Sequence, residues 1–195
     1  MPAPISLSKL LTGLKVGRPM PDVQVSGVVM DSREIQPGDV FVALKGEHVD
    51  ARGLIDEARA AGAVAVLLDG CDLRGVEQRL LAYDAVLPVD NLPGMLSLIG
   101  GRFYRNPSHH LTLIGITGTN GKTTICYYLA QMLERLGRTS ALIGTLGAGR
   151  IDALLSTGMT TPDALGMQKY LAEMLAEGVE VVCMEVSSHA LELGR

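Results

Sequence analysis

Leu111-Thr112-Leu113-Ile114-Gly115-Ile116-Thr117-Gly118-Thr119-Asn120-Gly121-Lys122-Thr123-Thr124 is the stretch on which the reading of this chain turns. Leu111 to Ile116 is a β-rich apolar run, a glycine-bearing loop follows at once, and the amphipathic stretch Thr123 to Leu136 comes next. The order is strand, loop, helix. Small residues in such a loop let backbone N–H groups converge on phosphate oxygens, and the following helix presents its positive N-terminal end to them. Gly118, Thr119, Asn120, Gly121, Lys122, Thr123 and Thr124 are therefore the candidate phosphate contacts. In this pattern Lys122 can reach the β and γ phosphates, and the Thr123 hydroxyl can ligate Mg²⁺. A short glycine turn could also be only a connection, but Gly-Lys-Thr between strand and helix favours nucleotide phosphate. One departure stands out: the strict pattern G-x-x-x-x-G-K, closed by Ser or Thr, places glycine where this chain has Ile116.

Downstream, Thr139 to Ile143 reads as the next strand, and Thr161-Pro162-Asp163 starts a helix running to about Ala176, with Thr161 as N-cap and Pro162 at the first helical position. Val179 to Val186 is a nearly continuous apolar strand carrying an acid near its end, Glu185. Beside a phosphate loop, a strand-end acid approaches the Mg²⁺ held by the loop threonine. Lys122 and Glu185 are thus the candidate catalytic pair, and Thr123 with Glu185 the candidate metal ligands. Glu180, at the other end of the strand, reads as a solvated residue.

Upstream, Val25 to Met30 and Val40 to Leu44 read as strands, Leu54 to Ala61 as a helix, and Ala63 to Leu68 as a further apolar strand, with Pro37-Gly38-Asp39 and Gly70 as turns. Asp72 to Leu87 reads as a helix and a short strand ending near Val89. Leu92, Leu96, Ile99 and Phe103 recur at helical spacing before the break at Asn106-Pro107. The pattern predicts an α/β fold: a small N-terminal α/β domain over residues 1–88, then the first part of a central domain with a mostly parallel sheet over 89–195. Strands apolar on both faces suggest a sheet covered on both sides, with ligands at the carboxyl ends of its strands.

Composition narrows the function classes. The chain has 195 residues, 17 Lys plus Arg against 21 Asp plus Glu, and a net charge of -4, which argues against nucleic acid as partner. The longest uninterrupted apolar stretch, Ala63 to Leu68, falls far short of the roughly 18 residues a bilayer span needs, so no membrane partner is expected. Cys71, Cys126 and Cys183 form no CxxC pair. A reducing, cytoplasmic setting fits best, with Cys126 and Cys183 as core residues rather than nucleophiles. His109-His110 reads as a solvated loop.

The loop Thr117 to Thr124 resembles that of the Mur ligases, whose variant lacks the first glycine. Near-identical loops occur in folylpolyglutamate synthases, so the flanking sequence has to discriminate. Glu185-Val186-Ser187-Ser188-His189-Ala190-Leu191 and Thr160-Thr161-Pro162 are similar to segments of the UDP-N-acetylmuramoyl-tripeptide synthetases of this family. Asp31 to Gly46, beginning Asp31-Ser32-Arg33, resembles the uridine-nucleotide-binding domain of its tripeptide and pentapeptide ligases.

The resemblance implies an ATP-dependent ligase that activates the terminal carboxylate of UDP-MurNAc-L-Ala-D-Glu as an acyl phosphate for attack by a diamino acid, diaminopimelate or lysine, in peptidoglycan synthesis. ATP is the co-substrate and Mg²⁺ the implied metal, and the full-length form is expected to be monomeric. By motif position, Thr160, Thr161, Ser187 and Arg195 would contact the muramoyl peptide. Met30 and Ser32, with the loop Glu47, His48 and Val49, would lie against the UDP part. The family's glutamine two residues before the arginine is Leu193 here. The carbamoylated lysine and the pocket that selects the amino acid belong to a part of the family pattern beyond Arg195, so a fragment without ligase turnover is expected. Another Mur or folylpolyglutamate ligase, or a non-catalytic nucleotide-binding module, are the competing readings.

Overall fold

The computed structural model describes residues 2–46, 49–156 and 161–188. The chain divides into two compact units, Met1–Ile99 and Gly100–Arg195.

The first unit contains β1 (Ile5–Ser6), α1 (Leu7–Leu10), β2 (Gln24–Val25), β3 (Gly27–Val29), β4 (Asp39–Ala43), α2 (Ile55–Ala60), β5 (Ala65–Asp69), α3 (Gln78–Leu81) and β6 (Val86–Val89), and the division from the second falls inside α4 (Leu92–Phe103). β3, β4, β5 and β6 form one parallel sheet in that order, while β1 and β2 make a separate antiparallel pair. On one face of the parallel sheet, Phe41, Ala43, Val66, Leu68 and Val86 pack with Ile55, Ala58 and Leu80. The alternate residues Val40, Val42, Leu67 and Leu87 are also buried, so both faces are covered, as their unbroken apolar sequence requires.

Two expectations for this unit need correction. The strand expected over Val25 to Met30 is divided at Ser26: Val25 pairs with Ile5, and Gly27 opens the ladder to Asp39. A Cβ at Gly27 would lie 2.9 Å from Asp39 Cγ, so only glycine admits that buried carboxyl beside the strand. The helix expected from Asp72 shrinks to the four residues of α3. Gly75 takes φ +81°, and the Asp72 carbonyl accepts from Arg52 Nη1 at 2.8 Å, which commits this backbone to turns. Pro88, with no N–H to give a ladder, sits in β6 at the edge of the sheet.

The second unit holds β7 (Thr112–Ile116), α5 (Lys122–Arg135), β8 (Ser140–Gly144), β9 (Gly147–Gly149), α6 (Ala164–Ala176) and β10 (Val181–Glu185). Sheet order is β7-β10-β8-β9, with the first three parallel and β9 antiparallel to β8. Period-2 alternation assigns the faces of β10: Val182 packs with Ala141, Ile143 and the α6 residues Met167, Leu171 and Met174, whereas Cys183 packs with Cys126 and Ala130 of α5.

β7 stands first in the sheet order of the described residues, with Leu113 exposed, and Ile125, Tyr128 and Met132 of α5 are exposed as well. The cap of α6 is also corrected. Asp163, not Thr161, is its N-cap, accepting from the N–H groups of Leu165 and Gly166, at 3.0 and 2.8 Å, a cap worth about 1 kcal/mol. The Thr161 hydroxyl instead donates to the Glu185 carbonyl at 3.3 Å.

Candidate functional site

Parallel pairing brings the ends of β7, β10 and β8 together. Glu185 is in register with Ile116, and Met184 with Ile143, so the next residue of β8, Gly144, flanks Glu185. Ile116 belongs to this ladder and its carbonyl accepts from Val186 N–H at 2.9 Å, so no turn glycine is needed at the position where the strict motif has one. The chain leaves the sheet only afterwards. Gly118 and Gly121 adopt φ +141° and +81°, and a Cβ on either would meet nothing closer than 3.8 Å. Their requirement is backbone conformation rather than space.

Thr117 to Gly121 are exposed, and α5 starts at Lys122 behind Gly121, whose position provides no side-chain cap; no acid lies in the first turn. The first N–H groups of a fourteen-residue helix therefore face outward without a built-in anion. Thr124, also exposed, lies in the same turn. Lys122 Nζ donates to the Gly118 carbonyl at 2.8 Å, which holds the ammonium across the loop. This collection of donors and positive charge suits a polyphosphate.

Glu185 is 2% exposed. Its Oε1 accepts from the Thr145 N–H at 2.8 Å, and its Oε2 from the Thr123 hydroxyl at 2.9 Å and the Thr145 hydroxyl at 3.4 Å. Neighbouring oxygens in an octahedral Mg²⁺ shell, with bonds of roughly 2.0–2.1 Å, lie about 2.9 Å apart. The Thr123 and Glu185 oxygens are hard donors at that spacing, so the residues present fit the implied ion. Among the described residues no cluster of three His, Cys, Asp or Glu could hold a metal.

Thr161, buried, bonds to the Glu185 carbonyl, and Ser187 follows two residues after Glu185, so both lie at the same strand end. In the first unit, Met30 follows β3, and Ser32 opens a turn in which the Asp31 carboxylate accepts from Arg33 N–H at 3.0 Å; the Arg33 guanidinium holds that carboxyl down at about 2. Lys45 and Asp50 bridge the base of the next loop, whose Val49 is exposed, and buried Arg52 ties it by pairing with Asp50 at 2.6 Å. β3 and β4 are adjacent and parallel, so Met30, Ser32 and Val49 emerge at one end of that sheet. Glu47, His48, Thr160, His189, Leu193 and Arg195 lie outside the described residues.

Glu180 pairs with Arg138 at the far end of β10, and His109 and His110 are exposed. Burial pushes the Cys126 thiol up to about 12, with Glu185 adding to the effect, and the Cys183 thiol up to about 11, which removes both as nucleophiles. Cys71 is exposed. A thiol reagent at pH 8 is expected to titrate one cysteine in the native chain and three after denaturation; more than one fast-reacting thiol in the native state would contradict the burial of the α5–β10 pair.

Thr145 was not apparent from sequence. A Gly-Thr pair after an apolar run marks a strand end, but nothing in the order of the chain shows that β8 neighbours β10.

A phosphate loop on a parallel sheet, facing a buried strand-end acid, defines the chain as an α/β protein of the phosphate-loop class. It belongs to the Mur ligase family: residues 24–104 match the Mur ligase family catalytic domain and residues 116–195 the Mur ligase middle domain. The chain is 44% identical over 189 residues to the UDP-N-acetylmuramoyl-L-alanyl-D-glutamate--2,6-diaminopimelate ligase of Xylella fastidiosa, covering 97% of the chain and 37% of that ligase. With the enzyme of the same name from Pseudomonas aeruginosa it shares 42% over 174 residues, 89% of the chain and 35% of the relative. Among solved structures, a ligase of that name superposes with a TM-score of 0.78 at 27% identity, covering 98% of this chain and 38% of that one. MurF from Thermotoga maritima in complex with ADP superposes with a TM-score of 0.56 at 25% identity, covering 83% and 32%. The chain thus spans a little over a third of the length of the curated relatives it matches.

Proposed function

We propose that this chain supplies the uridine-nucleotide-binding unit and the ATP-binding loop of a cytoplasmic ligase that joins a diamino acid, diaminopimelate by the names of its relatives, to UDP-MurNAc-L-Ala-D-Glu. The observation that carries the reading is the 2.9 Å pairing of Thr123 with buried Glu185 beneath the Gly118 to Thr124 loop. Forming an acyl phosphate brings two anions together. Lys122 and the uncapped N-terminus of α5 offset that repulsion by holding the transferred phosphate in line with the acceptor carboxylate. Thr123 and Glu185 would hold Mg²⁺, which would supply charge neutralisation at the phosphates. Thr161 and Ser187, at the same strand end as Glu185, orient the peptide end of the substrate, with Thr160 and Arg195 completing that set. Met30, Ser32 and the Glu47 to Val49 loop take the UDP end. In this assignment residues 1–88 form the substrate-nucleotide domain and 89–195 the first part of the ATP-binding domain.

The 195-residue chain extended to the length of its relatives is expected to release ADP only when UDP-MurNAc-L-Ala-D-Glu, the diamino acid, ATP and Mg²⁺ are all present, with the tripeptide product seen by mass spectrometry. ATP turnover indifferent to the UDP substrate would overturn the reading. In the same protein, Ser32→Ala should raise KM for the UDP substrate by roughly fivefold, the worth of one hydrogen bond of about 1 kcal/mol, and leave KM for ATP unchanged. An effect on ATP alone would contradict the division of labour between the units.

A further inference from the structure

We infer that Gly144 and Thr145, at the end of β8, are positioning residues that fix the orientation of the Glu185 carboxylate and so set the Mg²⁺ dependence of nucleotide binding. The inference rests on the phosphate-loop reading above. A carboxyl on a two-methylene arm has several rotamers open to it, and only those that turn an oxygen to Thr123 can complete the pair. Two features of β8 select among them. The Thr145 N–H, a donor fixed by the backbone, takes Oε1 at 2.8 Å and leaves Oε2 to meet the Thr123 hydroxyl at 2.9 Å. Gly144, beside Glu185 in the sheet, leaves the space into which the end of that side chain folds. A Cβ at position 144 would stand 2.7 Å from Glu185 Cδ and 2.8 Å from its Cγ, well inside the roughly 3.5–4.0 Å of carbon–carbon contact.

Gly144 is not among the glycines with positive φ, so its backbone does not demand glycine. The demand comes from the acid alone. Because the displaced group is the end of a side chain rather than backbone, an added methyl moves the carboxylate and leaves the strand able to form. Groups that orient a metal ligand in this way typically alter metal affinity by about 10- to 100-fold when lost.

The test is a Mg²⁺ titration of a fluorescent nonhydrolysable ATP analogue bound to the 195-residue chain, in the native sequence and in Gly144→Ala, Glu185→Gln and the double variant, with thermal unfolding of each. Gly144→Ala is expected to raise the half-saturating Mg²⁺ concentration about tenfold while leaving the weak affinity seen in excess EDTA unchanged. In the Glu185→Gln background the same substitution should have no further effect, because the carboxylate through which it acts is already lost. Native Mg²⁺ dependence in Gly144→Ala, or an equal shift in both backgrounds, would overturn the inference and leave the phosphate-loop reading standing. Absence of any Mg²⁺-dependent nucleotide binding by the native chain would overturn both.

Discussion

Lys122→Ala is expected to weaken ATP binding by about ten- to a hundredfold, since an ammonium–phosphate hydrogen bond contributes roughly 1.5–3 kcal/mol. In a protein of full ligase length, turnover should fall further, by at least about a hundredfold, because in the proposed reaction charge would build on the transferred phosphate and the lysine would meet it there. The fold should survive. The hydrogen bond from Lys122 Nζ to the Gly118 carbonyl is solvent-exposed, and its loss is worth no more than about 1 kcal/mol, a fall in Tm below about 4 °C. Calorimetric titration with the nonhydrolysable analogue, paired with thermal unfolding, separates the two effects. Unchanged affinity would mean that the ammonium is only a brace for its loop and that phosphate binds elsewhere or not at all. A large fall in Tm with proportionate loss of binding would assign the residue to the fold.

That the local geometry of this candidate site could be read from sequence follows from how short a stretch it occupies. Gly118 to Thr124 and the strand before it are contiguous, and the conformations demanded of Gly118 and Gly121 are properties of those residues themselves. Glu185 was legible because an apolar strand ending in an acid has few uses beside such a loop. What escaped was set by contacts distant in sequence. Thr145 lies forty residues from the acid it holds and is brought there only because β10 inserts between β7 and β8. The cap of α6 was misplaced by two residues because Thr161 and Asp163 are both good caps, and the choice falls to Asp163 once the Thr161 hydroxyl is taken up by the Glu185 carbonyl.

Glu185→Gln is expected to raise the Mg²⁺ concentration needed for nucleotide binding by more than tenfold without lowering the thermal stability of the chain. The two halves of this expectation share one cause. A carboxylate at 2% exposure is normally matched by a cation, yet among the described residues no lysine or arginine forms an ion pair with Glu185; its neighbours are the Thr123 and Thr145 hydroxyls and one backbone N–H. Such a group costs the fold desolvation energy that hydrogen bonds only partly offset, and in the proposed role a divalent ion would offset the remainder. Glutamine keeps the shape, can still accept from Thr145 N–H, and can donate its amide to the Thr123 oxygen, so the two short contacts keep a hydrogen bond while the charge is removed. The substitution should therefore leave Tm equal or higher in the absence of Mg²⁺ and abolish most of the further rise that Mg²⁺ with nucleotide produces in the native chain. A Tm depressed by several degrees, with Mg²⁺ dependence untouched, would show that the acid is a structural brace between β8, β10 and α5.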